Sequence, residues 1–260
     1  MPDPRELLAL AVIAAEDAAE LLRTSRPDPD AIGTKSSGSD LVTDRDRAAE
    51  ARIVDRILDA RPEDGVLGEE GGERTGTSGV RWVIDPLDGT TNYVYGYPAY
   101  GVSIAAEADG QAVAGVVVAV VSRERYTAAL GHGAHRDDRP IRVSAAQDLS
   151  VALLGTGFSY DAATRGRQAA ALTAVLPAVR DIRRSGSAAL DLCAVASGRL
   201  DGFWERGLSP WDRAAGALIA AEAGARVAPL GRAEPMTILA APPGLYGALE
   251  ALLETAGATF

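Results

Sequence analysis

Arg81-Trp82-Val83-Ile84-Asp85-Pro86-Leu87-Asp88-Gly89-Thr90-Thr91-Asn92 is the stretch on which the fold of this 260-residue chain turns. Its first half is an apolar, β-branched run that predicts a strand ending at Asp85, with Pro86 as the stop. Asp88 follows three residues on. Gly89 lets backbone come close to a ligand, and Thr90-Thr91 predicts the opening of a helix whose free N–H groups would receive phosphate. Two carboxylates beside an anion cradle make chemical sense only with cations between them. An ordinary strand-to-helix turn, capped by Asp and Thr, uses the same residue types, so segments elsewhere have to decide.

They add acids. Gly68-Glu69-Glu70-Gly71-Gly72 puts glutamates at the end of another short strand, in a glycine-rich loop. Trp211-Asp212 opens a later helix. Glu69, Asp85, Asp88 and Asp212 together carry four negative charges, which two Mg²⁺ ions would balance. Oxygen ligands without histidine or thiolate are a magnesium-type set. His132 and His135 lie in the turn Gly131-His132-Gly133-Ala134-His135 and are expected on a surface hairpin.

Working outward, Arg5 to Arg23 and Asp44 to Ala60 carry helical periodicity, the second stopping before Pro62. Short β-like runs follow at Gly65 to Leu67, Arg81 to Ile84, Val102 to Glu107, Val113 to Val121 and Arg125 to Leu130, with Asp109-Gly110 as a hairpin signal. One antiparallel sheet flanked by the two helices is expected. After about Ala146 strands and helices alternate: Val151 to Gly155, Arg167 to Val175, Asp181 to Arg183, Ser187 to Ala196, Gly202 to Trp204 and Trp211 to Ala223. An N-terminal α+β half, 1–146, carrying most of the acids, and a C-terminal α/β half, 147–260, carrying Asp212, are therefore expected.

Composition narrows the function. With 26 basic against 36 acidic residues the net charge is −10, the wrong sign for a general nucleic-acid binder. No run reaches membrane-spanning length, and Leu7 to Ala15 is an amphipathic helix segment and not a signal peptide. A cytoplasmic location is expected. Cys193, the single cysteine, reads as a small buried hydrophobe. Twenty-five of the basic residues are arginines and Lys35 is the only lysine; its compact ammonium is not interchangeable with a guanidinium. A P-loop is excluded because Lys35 follows Thr34, not Gly. A haloacid-dehalogenase type of phosphatase is excluded by the three-residue step from Asp85 to Asp88 and the lack of any Gly-Asp pair. A serine hydrolase is excluded because no Gly-x-Ser-x-Gly elbow occurs.

Four segments in order resemble the inositol monophosphatase family: Lys35 to Asp46, Gly68-Glu69-Glu70, Trp82 to Asn92, and Trp211-Asp212-Arg213-Ala214-Ala215-Gly216 with Glu222-Ala223-Gly224. The resemblance spans nearly the whole chain. It implies a five-layered αβαβα sandwich of the inositol monophosphatase and fructose bisphosphatase type, in the broad α/β (α+β) class, usually as a homodimer. It implies that Glu69, Asp85 and the Leu87 carbonyl hold one Mg²⁺, and Asp85, Asp88 and Asp212 a second, with a weaker third ion near Glu69. Thr90, hydrogen-bonded to Asp46 and acting with Glu69, would orient and deprotonate the attacking water, while Gly89 and Thr90 grip the phosphate. Lys35 would lean toward the phosphate. Gly186, Ser187, Ala188 and Glu205, with Asp88 and Asp212 alongside, would form the polyol pocket.

The activity so implied is hydrolysis of inositol monophosphate, or a related small polyol phosphate, by water activated at the metals, with lithium as an inhibitor. Histidinol phosphate, fructose 1,6-bisphosphate and 3′-phosphoadenosine nucleotides are the alternative substrates. Arg183, Arg184 and Arg206 are the basic residues that a second phosphate would need, and the sequence does not aim them. A regulator that binds transcription machinery is the non-enzymatic alternative, against which all four acids, Thr90 and Asp46 are retained. The loop from Arg74 to Gly79 is expected to be mobile.

Overall fold

The structure, a computed structural model, describes residues 2–24, 33–34, 41–231 and 235–258. Lys35 lies outside the described residues.

Helix α1 (Pro4–Thr24) and helix α2 (Asp44–Ala60) bracket a short pair, β1 (Gly33–Thr34) and β2 (Leu41–Val42). Leu7, Ala11, Ala14, Ala15, Ala18 and Leu22 give α1 one apolar stripe, and Ile53 and Ile57 continue it on α2. Thr43 caps α2 by accepting the amide of Arg45, and Asp46 accepts the amide of Thr43 in return.

The first sheet holds β3 (Gly65–Gly68), β4 (Gly72–Arg74), β5 (Val80–Asp88), β6 (Gly101–Ala108), β7 (Gln111–Ala119), β8 (Arg125–Ala129), β9 (Ala134–Arg136) and β10 (Arg139–Pro140). Its order is β10-β9-β8-β7-β6-β5-β3-β4. Asp109 and Gly110 both have positive φ, as the two-residue hairpin between β6 and β7 demands. Alternation along the strands divides the side chains between two cores. Trp82, Ile84, Ile104, Val116 and Val118 face α1 and α2. Val83, Ala105 and Val117 face α5 (Ala188–Ala196) and α6 (Pro210–Glu222), which form the middle layer.

The second sheet has the order β12-β11-β13-β15-β14. Its strands are β11 (Leu153–Thr156), β12 (Asp181–Arg183), β13 (Gly202–Arg206), β14 (Arg226–Leu230) and β15 (Thr237–Ala241). Phe203 and Ala240 turn toward Leu192 and Val195 of the middle layer. Leu154, Trp204 and Leu239 pack on the outer helices α4 (Ala162–Val175) and α7 (Pro243–Thr255). The layers are thus α, β, α, β, α. Contact between the first sheet and the middle layer is close: a Cβ on Gly115 of β7 would stand 3.1 Å from the Cα of Ala215 in α6.

Three expectations need correction. The first sheet is not purely antiparallel, because β3 runs parallel to β5. Strand β5 does not stop at Asp85 but passes through Pro86 to Asp88. Its pairing with β6 shifts register between Asp85 and Asp88, so Pro86 falls where the ladder is already broken. The loop from Arg74 to Gly79 is tied down: Arg74 donates to the Pro62 carbonyl at 2.8 Å and Thr77 N to that of Glu63 at 2.7 Å. Among the described residues no helix is long and apolar enough to cross a membrane.

Candidate active site

The break in β5 shapes the site. With Pro86 in place the backbone turns, and Asp85 accepts the amide of Leu87 at 3.0 Å in place of a ladder partner. Gly89 then adopts φ 97° as the cap of helix α3 (Thr90–Tyr95). A side chain at Gly89 would be strained and would also meet the Ala99 carbonyl at 3.0 Å.

Glu69, Asp85, Leu87, Asp88, Gly89, Thr90, Gly186, Ala188, Glu205 and Asp212 line one cleft of about 390 Å³. Both sheets contribute to it. Thr90 donates to Asp46 at 2.9 Å, with the Leu87 carbonyl at 3.2 Å. Asp46 is fully buried beneath it, held at the start of α2. Asp88 accepts the Ser187 hydroxyl at 2.6 Å and the Ala189 amide at 2.7 Å. Asp212 accepts the Ser209 amide at 2.6 Å. Ser187 is not among the residues that line the cleft, and its hydroxyl supports Asp88 from behind.

Electrostatics mark the same place. Burial pushes Asp85 well above the usual carboxylate range, and the charges of Glu69, Asp88 and Asp212 push it further. Burial raises Asp88 to about 6 although the bonds from Ser187 and Ala189 oppose it. Glu205 is raised to about 8, first by burial and then by Asp191, Asp212 and Asp88, against the opposing pull of Arg184. So many acids facing one cleft favour a divalent cation, and their oxygen-only chemistry fits magnesium. Among the described residues no three such side chains form a finished ligand cluster; donor chemistry and electrostatics carry the fit.

The structure aims the three arginines and adds residues for which the sequence suggested no role. Arg184 lines the cleft, whereas Arg183 pairs with Asp181 and Arg206 lies outside the lining. Thr156 at the end of β11, with Gly157, Phe158 and Tyr160 after it, forms a wall. A Cβ on Gly157 would fall 2.1 Å from the carboxylate of Glu205, so the glycine makes room for that acid. Asn92 donates to the carbonyls of Ala99 and Ser185 at 2.6 and 2.8 Å, joining α3 to the turn that carries Gly186. Buried Asp191 stands behind the pocket, raised to about 7 by burial, with Ser185 and Arg184 opposing. The two histidines lie elsewhere: His132 in a turn whose Gly131 and Gly133 amides bond Glu222 at 2.8 Å, and His135 in β9. Cys193 is buried in the middle layer.

The sequence profile of the inositol monophosphatase family matches residues 3–256. The chain belongs to that family. It is similar to an inositol-1-monophosphatase of Mycobacterium leprae, 47% identical over 97% of this chain and 94% of that one. The SuhB protein of Bartonella henselae has the same fold, with a TM-score of 0.89, 37% identity and coverage of 96% of this chain and 98% of that one. A Nus factor SuhB of Escherichia coli is 44% identical over 84% of this chain and 83% of its own length. By family the chain is a phosphoric monoester hydrolase, and the cleft is its active-site candidate.

Proposed function

We propose that the chain is a Mg²⁺-dependent phosphatase of inositol monophosphate or a closely related small polyol phosphate. The observation that carries this reading is the meeting of Glu69, Asp85, Asp88 and Asp212 in one cleft with the Thr90–Asp46 pair beside them. Glu69, Asp85 and the Leu87 carbonyl would hold one ion, and Asp85, Asp88 and Asp212 a second; a third, weaker ion near Glu69 belongs to the same proposal. Bound there, the ions lower the pKa of water and stabilise charge on the leaving oxygen.

The protein's own share is positioning. Asp46 fixes the Thr90 hydroxyl, Thr90 orients the attacking water, and Glu69 takes its proton. The Gly89 and Thr90 amides bind the phosphate. Glu205, with Gly186 and Ala188 forming the adjoining surface, hydrogen-bonds the hydroxyls of the leaving group. Lys35 is assigned to the phosphate side by resemblance alone. Lithium inhibition, a homodimer, a cytoplasmic location and the division into halves at 146/147 belong to the same proposal.

The test is phosphate release from inositol 1-phosphate, histidinol phosphate, fructose 1,6-bisphosphate and 3′-phosphoadenosine 5′-phosphate, with and without Mg²⁺. Magnesium-dependent release favouring inositol phosphate supports the reading. Preference for another substrate overturns the specificity and leaves the site chemistry standing. The name of the Escherichia coli relative favours a second role in binding transcription machinery. Capture of RNA polymerase components that survives Asp85→Asn would support that role as separate from hydrolysis.

A further inference from the structure

Helix α2 carries two buried acids one helical turn apart, Asp46 and Glu50. Asp46 meets Thr90. Glu50 is only 5% exposed, does not line the cleft and has no part in the scheme above. Its two carboxylate oxygens accept the backbone N–H groups of Glu70, at 2.9 Å, and of Gly71. Those are the two amides that follow Glu69 in the tight turn between β3 and β4. On the other side of Glu69, a Cβ at Gly68 would stand 2.5 Å from a Glu50 oxygen, and one at Gly71 would stand 2.6 Å away. The carboxylate therefore fills the inside of the turn and is touched by residues before and after Glu69.

The identity of residue 50 follows from that geometry. Two N–H donors converge on one buried side chain and require two acceptors. A carboxylate supplies both, whereas glutamine would turn an N–H group against one of the amides. We infer that Glu50 is a positioning residue for Glu69: it is the template on which the Glu69 turn is folded. One helix then sets both halves of the water-activating pair, Thr90 through Asp46 and Glu69 through Glu50. This inference rests on the assignment of Glu69 to metal binding and proton transfer made above.

The experiment uses the full chain with Glu50→Gln, Gly68→Ala and both together. Val54→Ala, on the same helix but outside the contact, is the stability control. Mg²⁺ binding is measured by calorimetry without substrate, alongside kcat, half-saturating Mg²⁺ and urea unfolding. Each single variant is expected to weaken Mg²⁺ binding and lower kcat by about 10- to 100-fold. The double variant should be little worse than the poorer single, because both changes act on one contact. Val54→Ala should bind Mg²⁺ like the parent at a comparable loss of stability. Parental Mg²⁺ affinity in a folded Glu50→Gln protein overturns the inference, and if that variant does not fold, parental affinity in Gly68→Ala does so. A parent that binds Mg²⁺ but releases no phosphate would overturn the phosphatase reading, while weakened binding in Glu50→Gln would still support the positioning role. A parent that does not bind Mg²⁺ overturns both.

Discussion

Ser187 donates its hydroxyl hydrogen to a carboxylate oxygen of Asp88 at 2.6 Å, across 99 residues of chain. Ser187 also caps α5, since the amide of Leu190 bonds its hydroxyl at 3.3 Å. The start of one helix thereby fixes an acid that belongs to the far end of β5.

Removing that hydroxyl tests the coupling. Ser187→Ala should lower stability by about 1 kcal/mol through the lost cap. It should also reduce turnover by about tenfold, because Asp88 keeps only its amide partners. Urea unfolding and phosphate release measure the two effects separately. Parental turnover in the alanine variant would detach Ser187 from the working of the site.

Asp85→Asn should abolish turnover and, without metal, make the protein more stable. Asp85 sits among Glu69, Asp88 and Asp212, and its charge is opposed by burial and by all three. An amide of the same shape removes that conflict. Chemical unfolding in a chelator should show a higher midpoint for the variant than for the parent. A lower midpoint would mean that Asp85 is held by favourable contacts that outweigh the repulsion.

Stability without metal should fall as pH rises from about 5 to about 8. Glu205 is raised from the ordinary 4.5 to about 8, and Asp88 from 3.8 to about 6, both primarily by burial. Between the ordinary and the raised values the folded protein holds protons that the unfolded chain has released. The unfolded state then binds fewer protons, so unfolding becomes easier with rising pH. Urea midpoints in a chelator across that range would measure the slope, and Glu205→Gln should flatten its upper part. A midpoint that rises with pH would contradict the sign.

Gly157→Ala should imitate Glu205→Gln. The new methyl would occupy the space of the Glu205 carboxylate. Both variants are expected to lose far more activity on inositol phosphate than on an aryl phosphate with no hydroxyls. Equal losses on the two substrates would remove Glu205 from leaving-group recognition.

Helix α2 was legible to its ends because local chemistry sets both. Thr43 and Asp46 cap its start, and Pro62 stands just past its end. Strand β5 was legible only to Asp85, because Pro86 is an ordinary strand terminator unless a register shift removes the need for its N–H. Strands β14 and β15 and helix α7 went unread, although Pro243 at the first turn of α7 is a usable start signal. The four acids could be found because each sits in a short motif. Glu50 and Gly157 could not, because their partners lie 20 or more residues away and only folding brings them into contact.

The close approach of Gly115 to Ala215 reaches further than packing. Ala215 lies on α6, three residues beyond Asp212, the one member of the set Glu69, Asp85, Asp88 and Asp212 that the later part of the chain supplies. Whatever sets the spacing of β7 and α6 therefore sets how far Asp212 stands from the three acids of the first sheet. That gauge is a hydrogen atom on a residue without a side chain. Adding a single methyl group there would recalibrate the active site without touching any residue in it.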